Sequence, residues 1–443
     1  MQHPLFIRLL TALLGTLLLA QAATAEETLP AEEGLLPLDD LRTFTRVYEH
    51  IRNSYVDELS DTTLLEYAIK GMMAELDPHS SFLDADSFDS LKVNTSGEFG
   101  GIGIEVGMEN GFVKVIAPID DTPAQRAGLE SGDLIIRLDE KPVKGLSLNE
   151  AVNLMRGPKG TELILTIVRE GVNQPFEVTL ERDIIRVRSV RTRILDENYL
   201  YLRIAQFQVN TGKDVRTRLE DMLKEHTDLR GIVLDLRNNP GGVLQASFDV
   251  ADAFLDEGLV VYTEGRLEES HTEYSATPGD VAEGLPLVVL INDGSASASE
   301  IVAGALQDQK RAVIMGTRSF GKGSVQTIVP IDDTRAIKLT TALYYTPAGR
   351  SIQAQGIEPD VWVERAKVTA IKPQLRTTEA DLAGHLGNRS NDGPENGNKV
   401  RNEERKASNN LLENDNQLHE ALNLLKGLSI FESRQARIKN PES

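Results

Sequence analysis

Lys322, in "GTRSFGKG" (residues 316–323), is the residue whose surroundings first suggest chemistry. Gly316, Gly321 and Lys322 have most of the spacing of a phosphate-binding loop, in which the lysine reaches a nucleotide. Ser319 and Lys322 stand three apart, the separation of a nucleophile and a base on one helical turn. A third reading makes Lys322 the base for a serine elsewhere in the chain.

The first two readings fail on their context. A phosphate loop needs Ser or Thr after the lysine to hold magnesium, and Gly323 stands there. It also needs a helix to follow, whereas "SVQTIVPID" alternates in the manner of a strand. That strand signal, with glycines on both sides of Lys322, removes the helix on which Ser319 and Lys322 would face one substrate. Gly321 and Gly323 read instead as space for a substrate chain beside the amine.

The third reading finds its serine in "LPLVVLINDGSASASEIVAGAL" (285–306), a buried strand, a tight Asn-Asp-Gly turn and a helix opening on small residues. Backbone N–H groups and the helix dipole at such a junction stabilise an alkoxide or oxyanion. The layout is that of a nucleophile elbow. Ser295, Ser297 and Ser299 are all available, and each could instead serve as a helix cap.

No histidine stands ready as the partner: His50, His79, His226, His271, His385 and His419 have no triad-like context. A lysine can replace histidine if burial brings its pKa from ~10.4 towards neutrality. Gln326, four residues after Lys322, could accept from the amine and orient it. The turn "LDLRNNPGG" (234–242) could present a backbone N–H to a substrate carbonyl, beside the N–H of the residue that follows the nucleophile.

The elements that must position these residues are legible in the periodicity. Residues 34–96 form an N-terminal helical region, with two amphipathic helices over 38–76 and a break at "DPHSSF". Residues 97–182 are a small module of short strands with two short helices. From 185 to 365, apolar strands alternate with helices, which indicates an α/β core covered on both faces. The tail, 366–443, is polar and partly disordered by composition, ending in an amphipathic helix over Leu418, Ala421, Leu422, Leu425 and Leu428. That stripe fits a helix docking on its own core as well as one meeting a partner.

The net charge, 47 − 68 = −21, argues against nucleic acid as a partner. The absence of cysteine excludes disulfides, thiolate metal sites and a cysteine nucleophile. Arg8, the apolar run Leu9–Ala20 and Ala23-Thr24-Ala25 have the layout of a secretory signal cleaved after Ala25. The run is shorter than the roughly 20 residues of a membrane span. The expectation is an exported, periplasmic protein, in a position that can be peripheral to a membrane.

"LDPHSSFL", "LDLRNNPGG", "GSASASEI" and "FGKGSVQ" together resemble the carboxyl-terminal processing proteases, also called tail-specific proteases, over residues 38–365. The resemblance implies a multidomain α/β protein: a core like the Clp protease and crotonase group, an inserted PDZ domain at 97–182, and a serine peptidase centre of Ser, Lys and Gln. The family's lysine lies 25 residues after its serine, which selects Ser297 (322 − 25 = 297) as nucleophile, Lys322 as general base and Gln326 as its partner. Oxyanion donors carry over to Ala298 and to Gly241, favoured over Gly242. In the PDZ domain, Gly101, Ile102, Gly103 and Ile104 would receive a peptide's terminal carboxylate, and Arg156 is a candidate link between domains. The implied activity is endoproteolysis of cell-envelope proteins with accessible C-terminal tails. It needs no cofactor or metal, and its implied partners are a second copy through the terminal helices and an activating adaptor. A silent PDZ scaffold is the rival reading.

Overall fold

The computed structural model describes residues 37–119, 121–196, 198–366 and 415–439. The expected signal segment and the polar stretch of the tail lie outside the described residues. The described residues fall into two compact units, divided between Glu75 and Leu76.

In the first unit, α1 (Leu38–Ser54) and α2 (Asp61–Ala74) are the two expected amphipathic helices. Asp39 and Asp40 in the first turn of α1 and Arg52 in its last complement the helix dipole. Ser60 caps α2 by accepting from the Thr63 N–H at 3.1 Å. Phe44, Val47, Tyr48 and Ile51 of α1 line an open apolar groove of about 640 Å³ with Leu64 and Tyr67 of α2.

The second unit begins with β1 (Ser81–Leu83) and α3 (Ala85–Ser96), which is capped by Asp84 and stopped by Gly97 at φ 71°. β2 (Glu98–Gly101) then leads into a small sheet of β3 (Ile104–Glu109), β4 (Phe112–Pro118), β5 (Leu134–Leu138), β6 (Lys141–Pro142), β7 (Glu162–Val168) and β8 (Phe176–Glu181). Two helices accompany it, α4 (Pro123–Arg126) and α5 (Leu148–Met155), the latter opened by a Ser147–Glu150 capping box. The core of this module is Val113, Val115, Ile135, Ala151, Leu163, Leu165 and Ile167, all without solvent exposure. β9 (Asp183–Arg186) pairs with β2, so one ribbon carries the chain in and out of the module.

The larger sheet has the order β10-β11-β12-β15-β16-β19. It comprises β10 (Val190–Leu195), β11 (Tyr199–Ile204), β12 (Gly231–Asp235), β15 (Leu287–Ile291), β16 (Val313–Gly316) and β19 (Val361–Trp362). All pairs are parallel except β10 with β11. α6 (Thr211–Glu225), α7 (Leu244–Asp252) and α8 (Ala298–Asp308) pack on the face that carries Leu200, Ile232 and Leu234. Successive strand residues point to opposite faces, so Val233, Val288, Leu290 and Met315 form the other one. There α9 (Asn416–Lys439) seats Leu418, Ala421, Leu422 and Leu425. The tail helix therefore docks on its own core through most of its apolar stripe, and Leu428 is half-buried. Arg237 fastens its start, donating to Asp415 at 2.7 and 2.8 Å.

A second sheet centres on β18 (Ala336–Tyr345), with β17 (Ser324–Pro330) along one side and β1 and β13 (Leu259–Gly265) in succession along the other. β14 (Thr272–Ser275) adds to β13.

Candidate active site

The nucleophile turn joins β15 to α8. Asn238 and Asn292 exchange two hydrogen bonds, Asn238 N–H to Asn292 Oδ1 at 2.8 Å and Asn292 Nδ2 to Asn238 Oδ1 at 2.9 Å. The Ala296 N–H donates to Asn239 O at 3.0 Å. Ser295 and Ser299 are fully buried and engaged, donating to Leu236 O at 2.8 Å and Asn239 O at 3.0 Å. Ser297 alone of the three lines an open cleft of about 400 Å³. It is held at φ 54°, a left-handed conformation that a non-glycine residue keeps only when its surroundings impose it. Its carbonyl accepts from Glu300 and Ile301, and Ala298, the first helical residue, has an N–H with no acceptor among the described residues.

Lys322 lines the same cleft, half-buried. Burial and the neighbouring Lys338 cation hold its amine below the usual lysine range, against the opposite pull of Glu300 and Asp77. Its Nζ makes no hydrogen bond or ion pair among the described residues. Tyr344, fully buried, donates its hydroxyl to Lys322 O and also meets the Ser297 hydroxyl.

Glu300 joins the two segments, and it was not singled out from the sequence. It has no solvent exposure, and its carboxylate accepts from Ser297 N–H at 2.7 Å, Ser319 Oγ at 2.6 Å, Gly321 N–H at 2.6 Å and Lys322 N–H at 2.9 Å. Burial raises its pKa, while these four bonds favour the anion. The signal that could have found it is Ser297-x-x-Glu300, a capping-box pattern with a charge at the head of an apolar helix. Ser319 is thus a buried structural residue, as its Oγ also accepts from Ile357 N–H at 2.6 Å.

Three sequence expectations meet a different geometry here. Gln326 lines the cleft, its amide nitrogen donating to Ser324 Oγ at 2.9 Å and Thr340 Oγ1 at 3.4 Å, and the expected bond from the Lys322 amine to its amide oxygen is not among those of the described residues. A bulge between Val325 and Gln326 breaks the regular spacing from which its face was judged. Gly321 and Gly323 give no room to a ligand, because a Cβ on either would meet the backbone of residues 353–356, at 3.1 Å and 2.5 Å. Gly241 does lie against the nucleophile, where a Cβ would come 2.8 Å from Ser297 Cβ and 3.0 Å from Ala298 N. Its N–H, however, donates to Asn239 Oδ1 at 2.9 Å. The amide of the glycine pair with no acceptor among the described residues is that of Gly242, which also lines the cleft.

"LDPHSSFL" contributes the far end of the cleft's polar network. Asp77 accepts from Ser80 Oγ at 2.6 Å and Thr340 Oγ1 at 3.1 Å, and Thr340 in turn meets Gln326. Burial and the charge of Lys322 lower the pKa of His79.

The small sheet carries the residues expected to receive a terminal carboxylate. β3 is its edge strand, and Ile104 and Val106 of β3 and Leu148 and Val152 of α5 are half-buried against the module's core. Gly101 pairs with Asp183, Ile102 is buried, and Gly103 turns at φ 79° against Thr122. The N–H groups of Ile102 and Gly103 have no acceptor among the described residues. Arg156, at the end of α5, lies over the Phe99 ring of β2 at 5.3 Å, with its Nε buried and unbonded.

The description of peptidase family S41 matches residues 198–363, the PDZ domain 100–180, and the activating protease CtpB N-terminal domain 16–87. A carboxy-terminal-processing protease of Bartonella bacilliformis is 50% identical over 349 residues, 78% of this chain and 80% of its own. The carboxyl-terminal-processing protease of a Synechocystis strain is 40% identical over 309 residues, 68% of this chain and 71% of its own. Carboxy-terminal processing protease CtpA of Bacillus subtilis is 35% identical, covering 77% and 72%. Among solved structures, a photosystem II D1 C-terminal processing protease aligns over 75% of this chain and 95% of its own, at 29% identity and a TM-score of 0.45.

Proposed function

The chain belongs to peptidase family S41 and is a carboxy-terminal processing serine protease with a PDZ domain, and from that premise we propose that Ser297 is its nucleophile, Lys322 its general base and Gln326 the residue that orients the base. The observation that carries this reading is the shared cleft, where Ser297 is the one serine of its turn that lines the space and Lys322 an amine of lowered basicity. The neutral amine takes the Ser297 proton as Oγ attacks the scissile carbonyl, then returns it to the leaving amine. Water cleaves the resulting acyl-enzyme by the same route. The N–H of Ala298 and one from the Gly241–Gly242 pair hold the oxyanion.

The free protein is a resting form in this reading. The Gln326 amide oxygen, which makes no bond to the Lys322 amine among the described residues, must come to accept from it. Gly241 donates to substrate only if it leaves Asn239, whereas Gly242 is already free to do so. A tail bound at Gly101, Ile102, Gly103 and Ile104 favours the aligned arrangement, a population shift, with Arg156 as a polar link between module and core. The protein is exported, cleaved after Ala25 and acts in the periplasm on cell-envelope proteins. A second copy, or an activating adaptor, joins through the apolar faces of the terminal helices, α1 and α2 and the Ile430–Phe431 end of α9, which are exposed here. Mass analysis of the N-terminus of fractionated protein tests the export step.

The deciding experiment is cleavage of a protein with an unstructured tail by wild type, Ser297→Ala and Lys322→Ala, with tail binding measured in parallel. Cleavage by wild type alone is expected. Cleavage by both variants removes the proposed centre, and tight binding without cleavage by wild type favours a scaffold.

A further inference from the structure

The polar network that ends at Asp77 has a direction, set by which of its groups can only accept. The Asp77 carboxylate takes the His79 N–H at 2.8 Å, the Ser80 N–H at 2.9 Å and the Ser80 hydroxyl at 2.6 Å. It also takes the Thr340 hydroxyl at 3.1 Å. Burial raises the pKa of this carboxyl, but the four bonds outweigh it and hold the group below the usual aspartate range. An ionised carboxylate accepts and cannot donate.

The consequence passes across the ladder. Thr340 on β18 stands opposite Gln326 on β17. A hydroxyl has one proton, and Thr340 gives its own to Asp77, so it offers Gln326 only lone pairs. The amide nitrogen of Gln326, 3.4 Å away, is the one end of that amide able to meet it. The Ser324 carbonyl, which also can only accept, lies near the same nitrogen at 3.3 Å. The amide nitrogen is thereby committed, and the amide oxygen is left for a donor elsewhere. Lys322 lines the same cleft. An amide turned end for end would present N–H groups to the amine, and would compete for the lone pair that must take the Ser297 proton.

We propose that Asp77 is a positioning residue for the peptidase centre, fixing through the Thr340 hydroxyl which end of the Gln326 amide is offered to Lys322. The proposal rests on the reading of Gln326 as the residue that orients the base, and adds what decides its own orientation. The Thr340 N–H, which donates to Ser80 Oγ at 3.1 Å, holds the Asp77 segment on β18 at the same point.

Asp77 acts on Lys322 by charge as well, and the two effects have opposite signs. The amine is faced by Lys338 of β18, Glu300 of α8 and Asp77, with His79 beside Asp77 and the Tyr344 hydroxyl at the Lys322 carbonyl. The Asp77 anion favours the charged lysine, so Asp77→Asn makes the amine less basic and its neutral form more abundant below the limb. By charge alone that variant would gain activity there. Through the amide it loses activity on the plateau.

The test is cleavage of a protein with an unstructured tail by the full-length enzyme, followed as kcat and KM against pH. Asp77→Asn should move the limb to lower pH and still lower the plateau kcat about tenfold, the worth of one bond to a charged group, with KM little changed. Thr340→Val changes no charge and should lower kcat by as much, and Thr340→Ser should recover most of that loss. The double variant should be no worse than either single one, because both break the same chain. Losses that add in the double variant, or that Thr340→Ser leaves in place, would make Asp77 purely structural and overturn the proposal. An unchanged plateau in Asp77→Asn and Thr340→Val, with Gln326→Ala impaired, overturns the role of Asp77 alone. Full activity in Gln326→Ala, or no cleavage by wild type, overturns the reading of the centre and this proposal together.

Discussion

The molecule offers two open strand edges, β3 in the small sheet and β17 in the cleft that α3 borders. Each runs along half-buried aliphatic side chains. They differ in what lies at the end of the strand. β3 starts from a glycine turn with unengaged amides and no titratable side chain among Gly101–Ile104. β17 starts from Lys322, with Ser297, Tyr344 and Lys338 lining the same space. In the proposed function one open edge serves capture and the other borders the chemistry, and the difference lies in the residues just before the strand.

The largest break in that comparison is at the chemical end. Ser297→Ala or Lys322→Ala should lower kcat by about 10³-fold or more, while fluorescence titration shows unchanged tail binding. Glu300→Gln comes next. An amide cannot accept from all four donors, and leaving buried N–H groups unpaired costs roughly 1–3 kcal/mol. A fall of about tenfold to a hundredfold in kcat is expected, with KM little changed and a lower Tm by calorimetry.

In the small module the same kind of damage should read differently. Val152→Lys puts a charge on the apolar wall and should raise KM about tenfold for tailed proteins with kcat preserved. The smallest effect is electrostatic. In the proposed mechanism activity needs the neutral amine of Lys322, so kcat/KM should rise with pH along a limb below the ordinary lysine range. Lys338→Met removes a cation that disfavours charge on Lys322, so the amine becomes more basic and the limb moves to higher pH. A profile unmoved by that change would separate Lys338 from the base.

How far the sequence reaches can be judged residue by residue. The strand, turn and helix around Ser297 and the strand after Lys322 follow from apolar runs, glycines and β-branched alternation, which are local signals. Glu300 was missed as a tether because its partners at Ser319, Gly321 and Lys322 lie 19, 21 and 22 residues away. The bonds that Gln326 makes to Ser324 and Thr340 depend on a bulge and on a partner across the ladder, neither visible in a four-residue spacing. The tail helix was readable as a stripe, but its seat on Val233, Val288 and Leu290 depends on the sheet's second face. Tertiary pairing decided each of these cases.

The most direct test of the Ser297–Lys322 centre is the site and pH dependence of covalent labelling by a fluorophosphonate, followed by intact mass and peptide mapping. One adduct is expected, on Ser297, forming faster as pH rises through the titration of Lys322 and slowly at every pH in Lys322→Met. An adduct on another serine, or an equal rate in Lys322→Met, would contradict the assignment.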